Sequence, residues 1–220
     1  MASKARLAFD ENAQDIDRLL EIHTTLGGSG VGRRHQLEVL NKSALVLVTA
    51  IWEAYCEDIA AEALDHLITH TRSPSTLPKK IRQVVAKELK DERNELAVWQ
   101  LSADGWKDLL KSRVGQLREE RNRQFNAPKS AGVDHLLEKA IGLGAMSDAW
   151  AWPRMSAAHA RKKLDDLVDR RGALAHRGKA AKTCYKKEVE SYFGHVKQLV
   201  AKSEDRVNAF VEKTTGTALW

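Results

Sequence analysis

Apolar residues recur at spacings of three and four along most of the chain, the period of a helix that buries one face. The pattern predicts a first amphipathic helix from about Leu7 to Leu26, with Ile16, Leu19, Leu20 and His23 on one side. Gly27-Gly28-Ser29-Gly30-Val31-Gly32 ends it, because glycine gives up the most backbone freedom in a helix. A long second helix follows from about Arg34 to Thr69. Leu37, Leu40, Ala44, Val48, Ile51, Tyr55, Ile59, Ala63 and Leu67 form its stripe. Between Leu45 and Ile51 it is apolar nearly all round, which marks a helix at the centre of a bundle.

Ser73-Pro74-Ser75-Thr76-Leu77-Pro78 reads as a loop, since each proline denies a helix one donor. Shorter helices are expected over Lys79 to Leu89 and Gly105 to Phe125. Asn126-Ala127-Pro128-Lys129-Ser130 is a break, and Ser130 or its neighbours are expected to cap a helix running to Ile141. Gly142-Leu143-Gly144 ends that helix. Trp150-Ala151-Trp152-Pro153 suggests a buried aromatic corner. Ser156 is placed to cap a helix through Leu164, Leu167, Val168, Arg171 and Leu174, with Gly178 as its stop. A last helix covers about Tyr185 to Lys213. No segment shows the period-two alternation of a strand. The expectation is an all-α antiparallel bundle forming a single domain over residues 1–220, with loops near 27–33 and 71–78.

Composition narrows the function. Lys plus Arg number 36 against 30 Asp plus Glu, with a pI near 9.3. That balance suits a polyanionic partner and equally a salt-bridged helical surface. Cys56 and Cys184 form no CxxC pair, which argues against a disulfide framework or a structural zinc site and for a reducing, cytoplasmic setting. Nothing apolar follows Met1-Ala-Ser-Lys-Ala-Arg6 in the manner of a signal peptide. The most apolar run, Ala44 to Trp52, falls far short of the ~20 residues that span a bilayer, so no membrane partner is expected.

The chemistry concentrates in Asp169-Arg170-Arg171-Gly172-Ala173-Leu174-Ala175-His176-Arg177-Gly178. Arginine grips a phosphate through a fixed fork of donors. Histidine exchanges its proton near neutrality. Leu164, Leu167, Val168, Arg171 and Leu174 share one stripe, so Arg171 points toward packed structure or a cleft. A buried guanidinium needs an anion, and a carboxylate from another helix and an RNA phosphate both remain open. His176 lies about 7.5 Å further along the axis. The two meet at one phosphate if the helix ends near Ala175. Arg170, Arg177, Lys179, Lys182, Lys186 and Lys187 crowd the same turn. Such a groove draws in a nucleic-acid backbone, although a solvated basic face explains the lysines equally well.

This Arg-x4-His ending of a penultimate helix resembles the signature of HEPN domains, an all-helical ribonuclease superfamily, and most nearly the RiboL-PSP-HEPN group. Two other segments add to the resemblance. Ser43 to Asp58, in which an apolar run leads into Trp52-Glu53-Ala54-Tyr55, resembles that group's core helix. Arg123-Gln124-Phe125-Asn126-Ala127-Pro128, followed by Val133 to Gly142, resembles its F-N-x-P turn and next helix. The resemblance implies a helical bundle that pairs into a homodimer, and metal-independent RNA cleavage with two copies of the motif facing each other. It implies Arg171 and His176 as the catalytic pair. Glu53 would orient the site or satisfy the arginine, and Arg170 would support it. Arg177, Lys179, Lys182, Lys186 and Lys187 would hold RNA. Neither cofactor nor metal is implied. Many members carry a polar residue directly after the arginine; here it is Gly172. A second register, Arg170 to His176, would place Arg171 there instead, but Arg171 occupies the buried stripe.

The expected function is therefore a HEPN-type endoribonuclease that attacks through the RNA 2′-hydroxyl. The resemblance suggests a bacterial toxin or anti-phage effector, with an antitoxin or other regulatory protein as a further partner. The alternative is a catalytically silent HEPN domain that binds RNA or protein. Other signals carry less. The glycine run follows a helix and lacks the Gly-Lys-Ser/Thr ending of a phosphate loop. His66 and His70 lack a third ligand at zinc-protease spacing and read as a solvent-facing pair. Asp165, Asp166 and Asp169 read as the polar side of the motif helix, beside its lysines. The tryptophans read mostly as core, with Trp99 and Trp106 as candidates for exposure.

Overall fold

A computed structural model describes residues 2–27, 37–120, 129–177 and 182–220; the side chains of residues 116–120, 176 and 177 also lie outside that description. Among the described residues seven α-helices follow in order: α1 (Lys4–Gly27), α2 (Glu38–His70), α3 (Lys79–Asp91), α4 (Gly105–Glu120), α5 (Ser130–Ile141), α6 (Ala157–Arg177) and α7 (Lys186–Thr215). Short 3-10 turns cover Pro74–Thr76, Glu95–Leu101 and Met146–Ala149. There is no strand among the described residues, only an isolated bridge between Trp152 and Met155. The chain is all-α.

The apolar stretch of α2 places that helix at the centre. Ala44, Leu45, Val48, Trp52, Tyr55, Ile59, Ala63, Leu64 and Leu67 are all but sealed from solvent, and α1, α4, α5, α6 and α7 pack around them. Trp52 meets Trp150 edge-on at 5.8 Å, and the Trp150 Nε1–H donates to Ser203 Oγ at 2.9 Å. Tyr55 donates to the Val200 carbonyl at 3.1 Å. A large side chain that fills the core and also satisfies its polar tip fixes neighbouring helices in register. The aromatic corner at Trp150 is therefore the joint between the α5–α6 connection, α2 and α7.

Helix ends are satisfied from a distance. The first free N–H groups of α1, at Lys4 and Ala5, donate to Glu62 of α2, each at 3.0 Å. Ser3 donates through its N–H and its hydroxyl to Glu204 of α7, each at 2.9 Å. These anchors start α1 at Lys4, ahead of the expected Leu7, and bring Ala5, Phe9, Ala13 and Ile16 inward; Leu19 and Leu20 are only partly buried. Ser156 caps α6, accepting from the His159 N–H at 3.3 Å. Ser130 does not cap α5. It is the first helical residue, and Asp165 of α6 accepts its N–H at 2.8 Å and its hydroxyl at 3.0 Å. α5 ends at Gly142, with φ of 78°. A Cβ there would lie 2.7 Å from Pro78 Cβ, so only glycine fits beside the α2–α3 connection.

Other expectations change. His66 is not solvent-facing: it is buried, its Nε2 lies 3.1 Å from the Thr217 carbonyl oxygen, and its ring stacks on His70 at 3.9 Å. Trp106 is core, whereas Trp99 stands 70% exposed. Both cysteines are free and buried. The glycine run from Gly28 on, the Phe125-Asn126-Pro128 turn and the stop at Gly178 lie outside the described residues.

Candidate active site on the motif helix

α6 presents three different sides. At about 100° per residue, Leu164, Leu167, Val168, Arg171 and Leu174 form one stripe. The four apolar members are buried and Arg171 is half-buried. The stripe faces α2, where Glu53 also lies half-buried. Burial pushes the Glu53 carboxyl above its ordinary value of 4.5, and the positive charge of Arg171 pulls it back down. The two are electrostatic neighbours across the α2–α6 contact. Arg171 makes no hydrogen bond or ion pair among the described residues. Behind Glu53, burial and the charges of Glu57 and Glu53 hold the Cys56 thiol well above its usual range. That sulfur is a packed side chain, not a nucleophile.

Arg170 looks the other way. Its Nε donates to Glu188 of α7 at 3.1 Å, and its Nη2 donates to the carbonyls of Lys182 at 2.6 Å and Thr183 at 2.7 Å. The side chain is only 13% exposed, and its Nε and Nη2 donors are engaged by protein. Arg170 thus braces α6 to the start of α7. The register that begins at Arg170 would place its phosphate fork in this brace, so the geometry favours the register that begins at Arg171.

The third side carries Asp165 and Asp169. Asp165 holds Ser130 as above, and Asp169 pairs with Lys129 at 2.6 Å. Both tie the start of α5 onto the motif helix. Position 176 falls on this same side, seven residues beyond Asp169, because α6 continues through Arg177. The helix does not end near Ala175. Arg171 and His176 are therefore about 140° apart around one axis and about 7.5 Å apart along it. The two positions lie on different faces of the helix backbone. Ala173-Leu174-Ala175 favours helix, which keeps the turn intact up to Arg177.

The basic residues divide as well. Lys182 and Lys187 are exposed. Lys186 turns toward α1, bonding Thr24 and lying 3.5 Å from Glu190, so it serves the α1–α7 groove. The side chain of Arg177, and Lys179 altogether, lie outside the described residues, as does the His176 ring. Gly172, next to Arg171, has no described heavy atom within 4 Å of the place a Cβ would take, apart from its chain neighbours and the backbone of its own helix. Sequence reasoning missed the work of Asp165 and Lys129. The acidic pair four residues apart on α6 was the available signal, but its partners lie some 35 residues earlier.

A central apolar helix, a motif helix with an inward arginine, and a long closing helix are the parts of a HEPN-type bundle. The chain belongs to the RiboL-PSP-HEPN family, whose model matches residues 10–209. No curated protein and no solved structure matches it. Among the described residues no group of three or more His, Cys, Asp and Glu is placed to hold a metal ion. No described helix is long and apolar enough to cross a membrane.

Proposed function

We propose that this protein is a metal-independent endoribonuclease acting as a toxin or anti-phage effector, with its site completed by a second copy of the chain. One observation carries the reading: Arg171 is half-buried beside Glu53 and makes no hydrogen bond or ion pair among the described residues. A guanidinium held this way is pre-aimed and free to take a phosphate. Family membership and the basic end of α6 support RNA as its source.

In this mechanism His176 takes the proton of a 2′-hydroxyl. The freed oxygen attacks the adjacent phosphorus in line, and the P–O5′ bond breaks. The departing 5′-oxygen takes that proton back from the His176 imidazolium, leaving a 2′,3′-cyclic phosphate and a 5′-hydroxyl. An imidazole with an ordinary pKa of about 6.5 serves both roles at neutral pH. Arg171 offsets charge on the phosphoryl oxygens. Because position 176 sits about 140° from Arg171 on one helix, the pair converges when a partner copy brings its own α6 alongside. Glu53 is a positioning residue whose charge draws Arg171 toward α2 without occupying its donors.

Gly172 supports a second reading. Family members often carry a polar side chain there, and its loss suits a silent domain that binds RNA or a regulatory protein. Purified protein incubated with total RNA, with and without EDTA, separates the two. The nuclease reading expects chelator-resistant fragments ending in cyclic phosphate and 5′-hydroxyl. Salt-sensitive binding without fragments gives the second reading, and neither behaviour removes both.

A further inference from the structure

Away from α6, the layer made by α3, α4 and the 3-10 turn at Glu95–Leu101 contains an apolar cavity of about 180 Å³. Leu77, Ile81, Val85, Leu101, Trp106 and Leu110 line it, with Arg82 and Ala86 at its α3 edge. A cavity of ~150 Å³ with such walls accepts a benzene-sized group, so this one has room for one aliphatic or aromatic side chain. Its surroundings are unusual for a packing gap. In a 3-10 turn residues three apart are eclipsed, so Val98 continues the ridge of Leu101, and Leu96 with Trp99 forms a second ridge beside it. All four are exposed, Leu96 by 68% and Trp99 by 70%. The other lip is cationic. Lys79, Arg82, Ala86 and Lys90 step by three and four along α3, and all are exposed. None of the three cations forms an ion pair among the described residues. Glu88, on the opposite side of α3, is paired with the buried Arg113, so no carboxylate of the helix interrupts the stripe.

We infer that this groove docks an acidic amphipathic segment of another protein. That segment seats one apolar side chain in the cavity, lies against Leu96 and Trp99, and sets carboxylates along Lys79, Arg82 and Lys90. The combination decides the class of partner. An apolar anchor with flanking charge of one sign is how an amphipathic helix enters a groove. Nucleic acid suits the cations and Trp99 but has nothing apolar and narrow enough to fill the cavity. A lipid surface meets protruding residues, whereas here the apolar residues form one lip of a concavity. The site is separate from Arg171, so it stands or falls independently of the nuclease reading.

The test uses the full chain and a synthetic acidic peptide of about 18 residues, with leucines at i, i+3, i+4 and i+7 and glutamates on both flanks. Its binding is followed by anisotropy of a label on the peptide. The expected result is saturable binding, weakened at least ~10-fold by Arg82→Glu combined with Lys90→Glu and likewise by Ala86→Trp, which fills the cavity mouth. A copy with lysine for glutamate should bind the charge-reversed double variant and not the wild type. A copy with serine for leucine should bind neither. These positions are exposed, so melting temperatures should not move. Absent or variant-independent binding of the acidic peptide overturns the proposal. So does binding of a single-stranded oligonucleotide or of phosphatidylglycerol vesicles that disappears in the same variants while the acidic peptide fails.

Discussion

Arg170 and Arg171 are neighbours in sequence and opposites in circumstance. Arg170 is tied to Glu188 and to two backbone carbonyls, and it joins α6 to the start of α7. Arg171 points to the other flank of the helix, half-buried, with the charge of Glu53 for company and no hydrogen bond among the described residues. One guanidinium is engaged by the fold, whereas no described residue takes the donors of the other. The difference teaches that charge and burial alone do not separate a structural arginine from a phosphate clamp. What separates them is whether the protein already occupies the donors.

The reactive side should break most completely at His176. His176→Ala is expected to slow RNA cleavage by at least ~10²-fold, the lower bound for a positioned proton transfer, with an unchanged melting temperature; single-turnover assays read it. The structural side should break at Arg170. Arg170→Ala leaves Glu188 and the carbonyls of Lys182 and Thr183 without their partner. A cost of about 2 kcal/mol is expected, below that of a sealed ion pair because both side chains touch solvent. Thermal melts should show a drop of ~4–8 °C for a chain of this length.

Glu53 sharpens the contrast through pH. Its carboxyl is raised above 4.5 in the folded protein, so the native state keeps this proton longer than the unfolded chain does. Its contribution to stability is full below the unfolded value and falls as pH rises through the folded one. Glu53→Gln should remove that fall, and denaturant melts across mildly acidic pH should show the variant gaining on the wild type. The Arg171 charge lowers the same group, so Arg171→Gln should move the window upward. The smallest effect belongs to Gly172, which has room for a side chain. Gly172→Ala should stabilise α6 by ~0.5–1 kcal/mol, seen as a slightly higher melting temperature.

Much of this arrangement was legible along the chain. Leu45 to Ile51 is apolar nearly all round, and a central helix is the place for such a stretch. Arg171 interrupts an apolar stripe at helical spacing, which pointed it toward packed structure or a cleft; the structure shows that α2 lies there. The rest depended on partners far away or without a side-chain code. Arg170 is satisfied by two backbone carbonyls, and nothing in the identity of Lys182 or Thr183 announces that. Asp165 caps α5, and Glu62 with Glu204 holds the start of α1, each across the bundle. His66 finds its partner in the carbonyl of Thr217. The 3-10 turn at Glu95–Leu101 was silent because its three-residue period runs for too short a stretch to stand out. The divergence of Arg171 and His176 turned on a single helical turn, which Ala173-Leu174-Ala175 keeps intact as far as Arg177.

Subunit mixing asks whether Arg171 of one copy works with His176 of another. Arg171→Gln and His176→Ala, each inactive alone, are combined and allowed to exchange subunits before RNA is added with EDTA. If each site draws its arginine and histidine from different copies, mixed dimers keep one complete site, and cleavage should return to as much as roughly a quarter of the wild-type rate. If mixing restores nothing although mixed dimers form, the two side chains do not act across a pair of chains, and the account fails.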